Sequence, residues 1–245
     1  VFVSPVSPTQ SLANTLEKII ADAGSFAPRS QQIAIGPSEA GQECTRRLAY
    51  KLLDWDVSNP GSSSSWASQV GTAIHAYLAE IFGKLDEYEV EQRVKITGNL
   101  GGTVDLYHIP SGTVLDWKTT GNVDSKRKSP SKQNLVQVNL YALGKKRAGA
   151  DVKQVALVYL PVKGDLSEMH IELHPFDEQM ALDALERINN IYSLLATIDV
   201  ESNPNMWQHI PAVASRLCNY CPYFKPYSSD LAVGCNGETE ARNVS

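Results

Sequence analysis

The stretch Gly101-Gly-Thr-Val-Asp105-Leu-Tyr-His-Ile-Pro-Ser-Gly-Thr-Val-Leu-Asp116-Trp-Lys118 gathers the residue types best suited to chemistry. Thr103 to Ile109 and Thr113 to Thr119 read as strands either side of Pro110-Ser111-Gly112. With the turn centred on Pro110-Ser111, or on a four-residue loop from Ile109 to Gly112, paired positions have numbers summing to 221. Asp105 then faces Asp116, and Lys118 projects from the same side as Asp116. Opposed residues of an antiparallel pair have Cβ atoms about 4.5–5.5 Å apart. Two carboxylates that close repel unless a cation lies between them, and hard oxygen ligands suit Mg²⁺ or Mn²⁺. The other side of the hairpin, with Val104, Leu106, Leu115 and Trp117, is apolar and expected to be buried. A solvated surface hairpin would account for an isolated Asp-x-Lys, but it gives no reason for a second aspartate opposite the first.

The cysteines form a second group. Cys218-Asn-Tyr-Cys221 is a C-x₂-C knuckle, Cys235 lies fourteen residues beyond it, and Cys44 lies 174 residues before Cys218. The opening Val1-Phe2-Val3-Ser4-Pro5 has no basic region or apolar core of an export signal, so reduced thiols are expected rather than two disulfides. Such a knuckle ligates metal. Four thiolates suit a zinc ion or an iron–sulfur cluster, and spacing does not choose between them.

These groups need elements to hold them. Apolar spacing predicts helices over Ser11 to Ala23, Glu43 to Leu53, Trp66 to Phe82, Ser131 to Arg147 and Asp177 to Thr197. Trp66 and Tyr77 are expected in the core. Strands are expected at Tyr88 to Thr97, at the two hairpin arms, and at Gln154 to Pro161 and Asp165 to Leu173. Pro28 to Gly41, Ser58 to Ser65, Gly98 to Gly102 and the basic Gly121 to Pro130 read as turns or loops. The order of helices, three strands, helix, two strands and helix predicts an α/β (α+β) fold, a mixed sheet of about five strands flanked by helices. One domain, 1–245, is expected, with an N-terminal helical region at 1–65 that carries Cys44, a core at 66–200 and a cysteine-rich segment at 201–245.

Composition bounds the function. The 245 residues are 42% apolar and 20% charged, with a net charge of −5 and only four cysteines, which disfavours a disordered tail or a disulfide-scaffold peptide. No run approaches the roughly 18 apolar residues of a membrane span. The window from Lys118 to Arg147 holds eight basic residues against Asp124 alone, a local charge of +7 on an otherwise acidic chain. A local basic footprint of this kind fits a polyanion bound at one face.

The pattern Gly102-x-x-Asp105 followed by Asp116-x-Lys118 resembles the PD-(D/E)XK nuclease core. Gly71-Thr-Ala-Ile-His75 resembles the histidine motif of RecB-like nucleases, and Gln137-x-x-x-Tyr141 the motif that follows their catalytic lysine. Cys44-Thr-Arg-Arg-Leu-Ala-Tyr50 is similar to the opening cysteine segment of their iron–sulfur branch, which includes CRISPR-associated four-cysteine exonucleases and related phage exonucleases. The motifs run in family order from Cys44 to Cys235.

The resemblance implies a restriction-endonuclease-like core and a metal-dependent deoxyribonuclease, leaning to an exonuclease on single strands or DNA ends. It makes His75 a metal ligand beside Asp105, Asp116 and the backbone carbonyl near Trp117, with Mg²⁺ or Mn²⁺ as the ion. Lys118 would act on the attacking water, and Gln137 and Tyr141 would hold the lysine or the substrate. The resemblance favours a [4Fe–4S] cluster on Cys44, Cys218, Cys221 and Cys235 over zinc; the last gap is longer than the family's usual spacing. Lys126, Arg127, Lys128 and Lys132, with Arg46 and Arg47, are candidate DNA contacts. A cytoplasmic protein of a bacterial or phage-infected cell is expected, in DNA processing, recombination or repair, with a possible helicase, recombination or CRISPR-acquisition partner. A catalytically silent or partner-dependent nucleic-acid-binding module and a structure-specific endonuclease are the alternatives.

Overall fold

The computed structural model describes residues 8–25, 34–60, 65–98, 100–129 and 131–237. Parts of all four expected turn segments, at 28–33, 61–64, 99 and 130, lie outside the described residues. Strands β1 (Tyr88–Thr97), β2 (Leu100–His108), β3 (Thr113–Thr120), β4 (Gln154–Pro161) and β5 (His170–Pro175) form one sheet in that order. Neighbours are antiparallel except β3 and β4, which are parallel. A parallel pair requires a crossover over one face of the sheet.

The crossover holds two helices. Asn122 caps α5 (Val123–Lys128) by accepting from Ser125 N, and three basic residues complete its last turn. This short helix replaces the loop expected at Gly121 to Pro130, because the basic run falls where cations complement a helix C-terminus. Ser131 caps α6 (Lys132–Arg147), whose residues 136–145 are all buried. Buried all round, α6 carries no simple apolar stripe, and its polar residues are paired instead. Asn139 donates to Leu135 O and accepts from Asp177 N, and Lys145 pairs with Glu89. Buried polar groups are tolerated when their hydrogen bonds are met in this way.

Helix α6 and α7 (Glu178–Thr197) cover one face of the sheet, packing on Val104, Tyr107, Val114, Val155 and Leu157. Helix α4 (Ser65–Phe82) covers part of the other, with Ile74, Leu78 and Phe82 against Leu106, Trp117, Val158 and Leu160. Beyond the short α2 (Pro37–Ala40), a second core joins α3 (Thr45–Leu52) to the C-terminal segment. Tyr50 stacks on Trp207 at 4.0 Å between centroids and on Tyr223 at 5.0 Å, and Trp55 Nε1 donates to Ala232 O at 2.7 Å. Helix α1 (Pro8–Ser25) contacts α4 through Gln69, which donates to Ile20 O, while Leu12, Leu16 and Ile19 stay exposed. Trp66 and Tyr77 are also exposed rather than in the core, since they lie on the side of α4 turned from the sheet. The fifth strand begins later than the pattern suggests. Asp165 and Glu168 form a capping box around a 3-10 turn at Leu166–Glu168, so extended pairing starts only at His170.

The hairpin follows the expected register: Leu106 pairs with Leu115, Tyr107 with Val114 and His108 with Thr113. The turn needs a glycine at 112, where φ is +64° and an added Cβ would lie 2.3 Å from Asp151 O. Gly112→Ala is expected to destabilise the protein by about 1–3 kcal/mol, read as a lower urea midpoint with an unchanged m-value.

Candidate active site

The ladder between β2 and β3 ends at Leu106 and Leu115, one step before the two aspartates. There Asp105 substitutes side chain for backbone: its Oδ2 accepts the N–H of Trp117 at 2.9 Å. The side-chain alternation of β2 slips at this residue. Val104 packs in the cluster under α6, whereas Leu106 packs in the cluster under α4. The apolar side expected of Val104, Leu106, Leu115 and Trp117 is therefore divided between two cores. A strand that kept strict alternation would hold both aspartates on one face; the slip aims them differently.

Asp105 turns toward α4. Its Oδ1 lies 3.5 Å from His75 Nδ1, and His75 Nε2 lies 3.1 Å from Trp117 O. The close approach of α4 is helped by Gly71, where a Cβ would meet Thr119 Oγ1 at 3.4 Å. His75 thus bridges Asp105 and the Trp117 carbonyl, with one ring nitrogen toward each. Burial works against the imidazolium of His75, but the hydrogen bond and charge of Asp105, with the charge of Asp116, outweigh it and raise the pKa.

Asp116 lies on the α6 side with Lys118. It is 1% exposed, and burial, opposed by Lys118 and reinforced by Asp105, raises its pKa to about 6. Lys118 Nζ approaches Asp116 Oδ2 at 2.6 Å. This short ion pair is the main force opposing the burial of the carboxylate. Lys118 donates to Gln137 Oε1 at 2.9 Å, and Gln137 Nε2 donates to Tyr141 Oη at 3.1 Å. Gln137 and Tyr141 therefore hold the lysine. Tyr141 can lie over β2 because residue 102 is glycine; a Cβ there would come 2.6 Å from Tyr141 Cε1.

This donor set fits a divalent cation. The carboxylates of Asp105 and Asp116 and the Trp117 carbonyl are hard oxygen ligands of the kind Mg²⁺ or Mn²⁺ takes, and the imidazole of His75 suits Mn²⁺ better than Mg²⁺. Sequence reasoning missed Glu91. One ligand atom each from His75, Glu91 and Asp105 lie within 4.8 Å of one another, the one such group of three among the described residues. Only the pairing of β1 with β2 brings Glu91 there, and no motif marks it.

The four cysteines are unpaired by disulfides and line one cavity with Arg47 and Tyr50. Burial pushes the Cys221 thiol up, with a backbone hydrogen bond at Tyr223 and the charge of Arg47 working the other way. Arg46 is placed beside the cysteines. It is 8% exposed, its Nε donates to Ile210 O at 3.1 Å, and its Nη1 lies 3.9 Å from Cys235 Sγ, so it braces the cysteine segment. Arg127 is tied to Asp124 at 2.8 Å and to Glu168 O at 3.0 Å. Lys128 and Lys132 are exposed, and Lys126 is half-buried.

A sequence model described as the PD-(D/E)XK nuclease superfamily matches residues 38–225. Among solved structures, the crystal structure of SSO0001 matches with a TM-score of 0.51 and 16% identity, covering 86% of this chain and 94% of that one. An alkaline exonuclease from Laribacter hongkongensis matches with a TM-score of 0.50 and 10% identity, covering 69% of this chain and 91% of that one. At these identities the likeness is one of fold. No curated protein sequence matches the chain significantly. No helix among the described residues is long and apolar enough to cross a membrane.

The buried carboxylate has a measurable consequence. The pKa of Asp116 rises from 3.8 to about 6 on folding. Its protonation therefore stabilises the fold, completely below the unfolded value and progressively less as the pH rises through about 6. In chelator, Asp116→Asn is expected to raise the Tm relative to the parent protein at pH 8, with a smaller gain or none at pH 4.

Proposed function

We propose, from the membership of this chain in the PD-(D/E)XK nuclease superfamily, that it is a divalent-metal-dependent deoxyribonuclease acting as an exonuclease on single-stranded DNA or DNA ends. The observation that carries the reading is the meeting of His75, Asp105 and the Trp117 carbonyl beside a buried Asp116 whose cation is Lys118. The residues would hold Mg²⁺ or Mn²⁺, which supplies a water of lowered pKa and offsets charge on the scissile phosphate.

The chain's own groups do the rest. Lys118 has three N–H donors; Gln137 takes one and Asp116 attracts another. The third is left to orient water or to meet a phosphate oxygen as its charge grows. Tyr141 fixes Gln137, so the ammonium is set before substrate arrives. Asp105, held by the Trp117 N–H, keeps His75 turned into the site. Hydrolysis in this arrangement gives 5′-phosphate ends, as in the family. Exposed Lys128 and Lys132 can follow the strand, and exposed Trp66 and Tyr77 can stack on bases. The preference for ends is supported by the alkaline exonuclease among its structural neighbours. DNA processing in a phage, mobile element or repair pathway suits this activity.

The four cysteines line one cavity, a thiolate set that suits a [4Fe–4S] cluster or zinc, and the resemblance of the Cys44 segment to the iron–sulfur branch favours the cluster. The cluster would clasp α3 to the C-terminal segment, reinforcing the aromatic stack of Tyr50, Trp207 and Tyr223.

The test is cleavage of end-labelled single strands, linear duplex and closed circles with Mn²⁺, Mg²⁺ or EDTA. Metal-dependent loss of linear substrate, reduced about 10²–10³-fold in Lys118→Ala with DNA binding retained, is expected. Wild-type rates in that variant would overturn the assignment, and closed circles cut as fast as linear strands would make the enzyme an endonuclease. Anaerobically purified protein is expected to carry about four iron atoms and four sulfides per chain; one zinc and no visible absorbance would replace the cluster with zinc.

A further inference from the structure

Glu91 lies outside every motif and comes to the site through a backbone distortion. Strand β1 pairs Val90 with Leu106 and Gln92 with Val104, which brackets Glu91 opposite Asp105. Its φ is +50°, in the left-handed region. A residue with a side chain adopts that region at a cost, and such conformations persist where the surroundings impose them and gather at functional sites. The distortion falls at the position where β2 slips its alternation, so both strands are re-aimed at the same level. The result is the group of His75, Glu91 and Asp105, with a ligand atom from each inside 4.8 Å of the others. Asp105 is buried at the base of this group, and Glu91 lies exposed at its mouth.

Ligand chemistry suits this group to a divalent ion: Glu91 and Asp105 offer the hard carboxylate oxygens that Mn²⁺ takes, and His75 adds an imidazole. We propose that Glu91 is a direct ligand of the divalent cation, completing with His75 and Asp105 a cage on the α4 side, while Asp116 contributes from the Lys118 side. The inference rests on the metal-dependent reading above and adds to it the ligand that no motif marks.

The test is Mn²⁺ binding, without DNA, by electron paramagnetic resonance of free Mn²⁺ and by calorimetry on the full chain after chelation. Wild type is compared with Glu91→Gln, Glu91→Gly and Asp105→Asn. Glu91→Gln and Asp105→Asn are each expected to weaken Mn²⁺ binding by at least about tenfold. Glu91→Gly is expected to show the same loss while its metal-free Tm rises by about 2–4 °C, because glycine adopts φ +50° without strain. Wild-type Mn²⁺ affinity in both Glu91 variants, with affinity lost in Asp105→Asn, would overturn the role of Glu91 and leave the metal-dependent reading standing. A metal-free Tm lowered in both Glu91 variants along with the affinity would make Glu91 a structural residue. A wild-type chain that takes up no Mn²⁺ would overturn both.

Discussion

Asp116 carries a carboxylate into the interior of a five-stranded sheet, 1% exposed, close enough to a second carboxylate for each to resist the other's charge. An ionised group in that position is expensive unless it is paired. The nearest relief is Lys118, two residues along the same strand and on the same side. A lysine alone would swing, so its ammonium needs a fixed acceptor, and Gln137 from α6 supplies one. Tyr141 in turn fixes Gln137, and Gly102 leaves room for the tyrosine ring. The burial of one carboxylate thus reaches through three side chains to a glycine on another strand.

The topology makes this arrangement possible. Because β3 and β4 run parallel, the chain must cross the sheet between them, and α6 is that crossing. It therefore lies over the end of β3 where Asp116 and Lys118 stand. The opposite face belongs to α4, which brings His75 to Asp105. Two helices from different parts of the sequence approach one strand end from opposite faces, and the broken ladder between β2 and β3 leaves space between them.

The cysteine segment is a separate packing problem with a related solution. Tyr50, Trp55, Trp207 and Tyr223 make an aromatic core that joins α3 to the far end of the chain. Arg46, buried beside Cys235, spends its charge on a backbone carbonyl and a sulfur. The buried guanidinium thus ties the cysteine segment to the aromatic core.

Short-range pattern was enough to read most elements and the hairpin register, because helix and strand periodicity and the two-fold numbering of a hairpin are local properties. The pairings of Leu106 with Leu115 and His108 with Thr113 follow from the turn alone. Spacing also suggested Asp105, Asp116 and Lys118 as partners, and the i, i+4 relation put Gln137 and Tyr141 on one side of a helix. The short helix α5 and the late start of β5 were missed because capping by Asn122 and Asp165 outweighed weak local patterns. Tertiary structure decided the rest. Alternation predicts one face for both aspartates, but the slip at Asp105 depends on a hydrogen bond to Trp117 and on the two helices competing for the strand's faces. The place of Glu91 depends on which residue of β1 stands opposite Asp105 and on a left-handed backbone there. Residue type and local spacing determine which groups can do chemistry. Where each carboxylate points is set by long-range pairing, because only the assembled sheet and its flanking helices supply the forces that turn a strand out of its regular pleat.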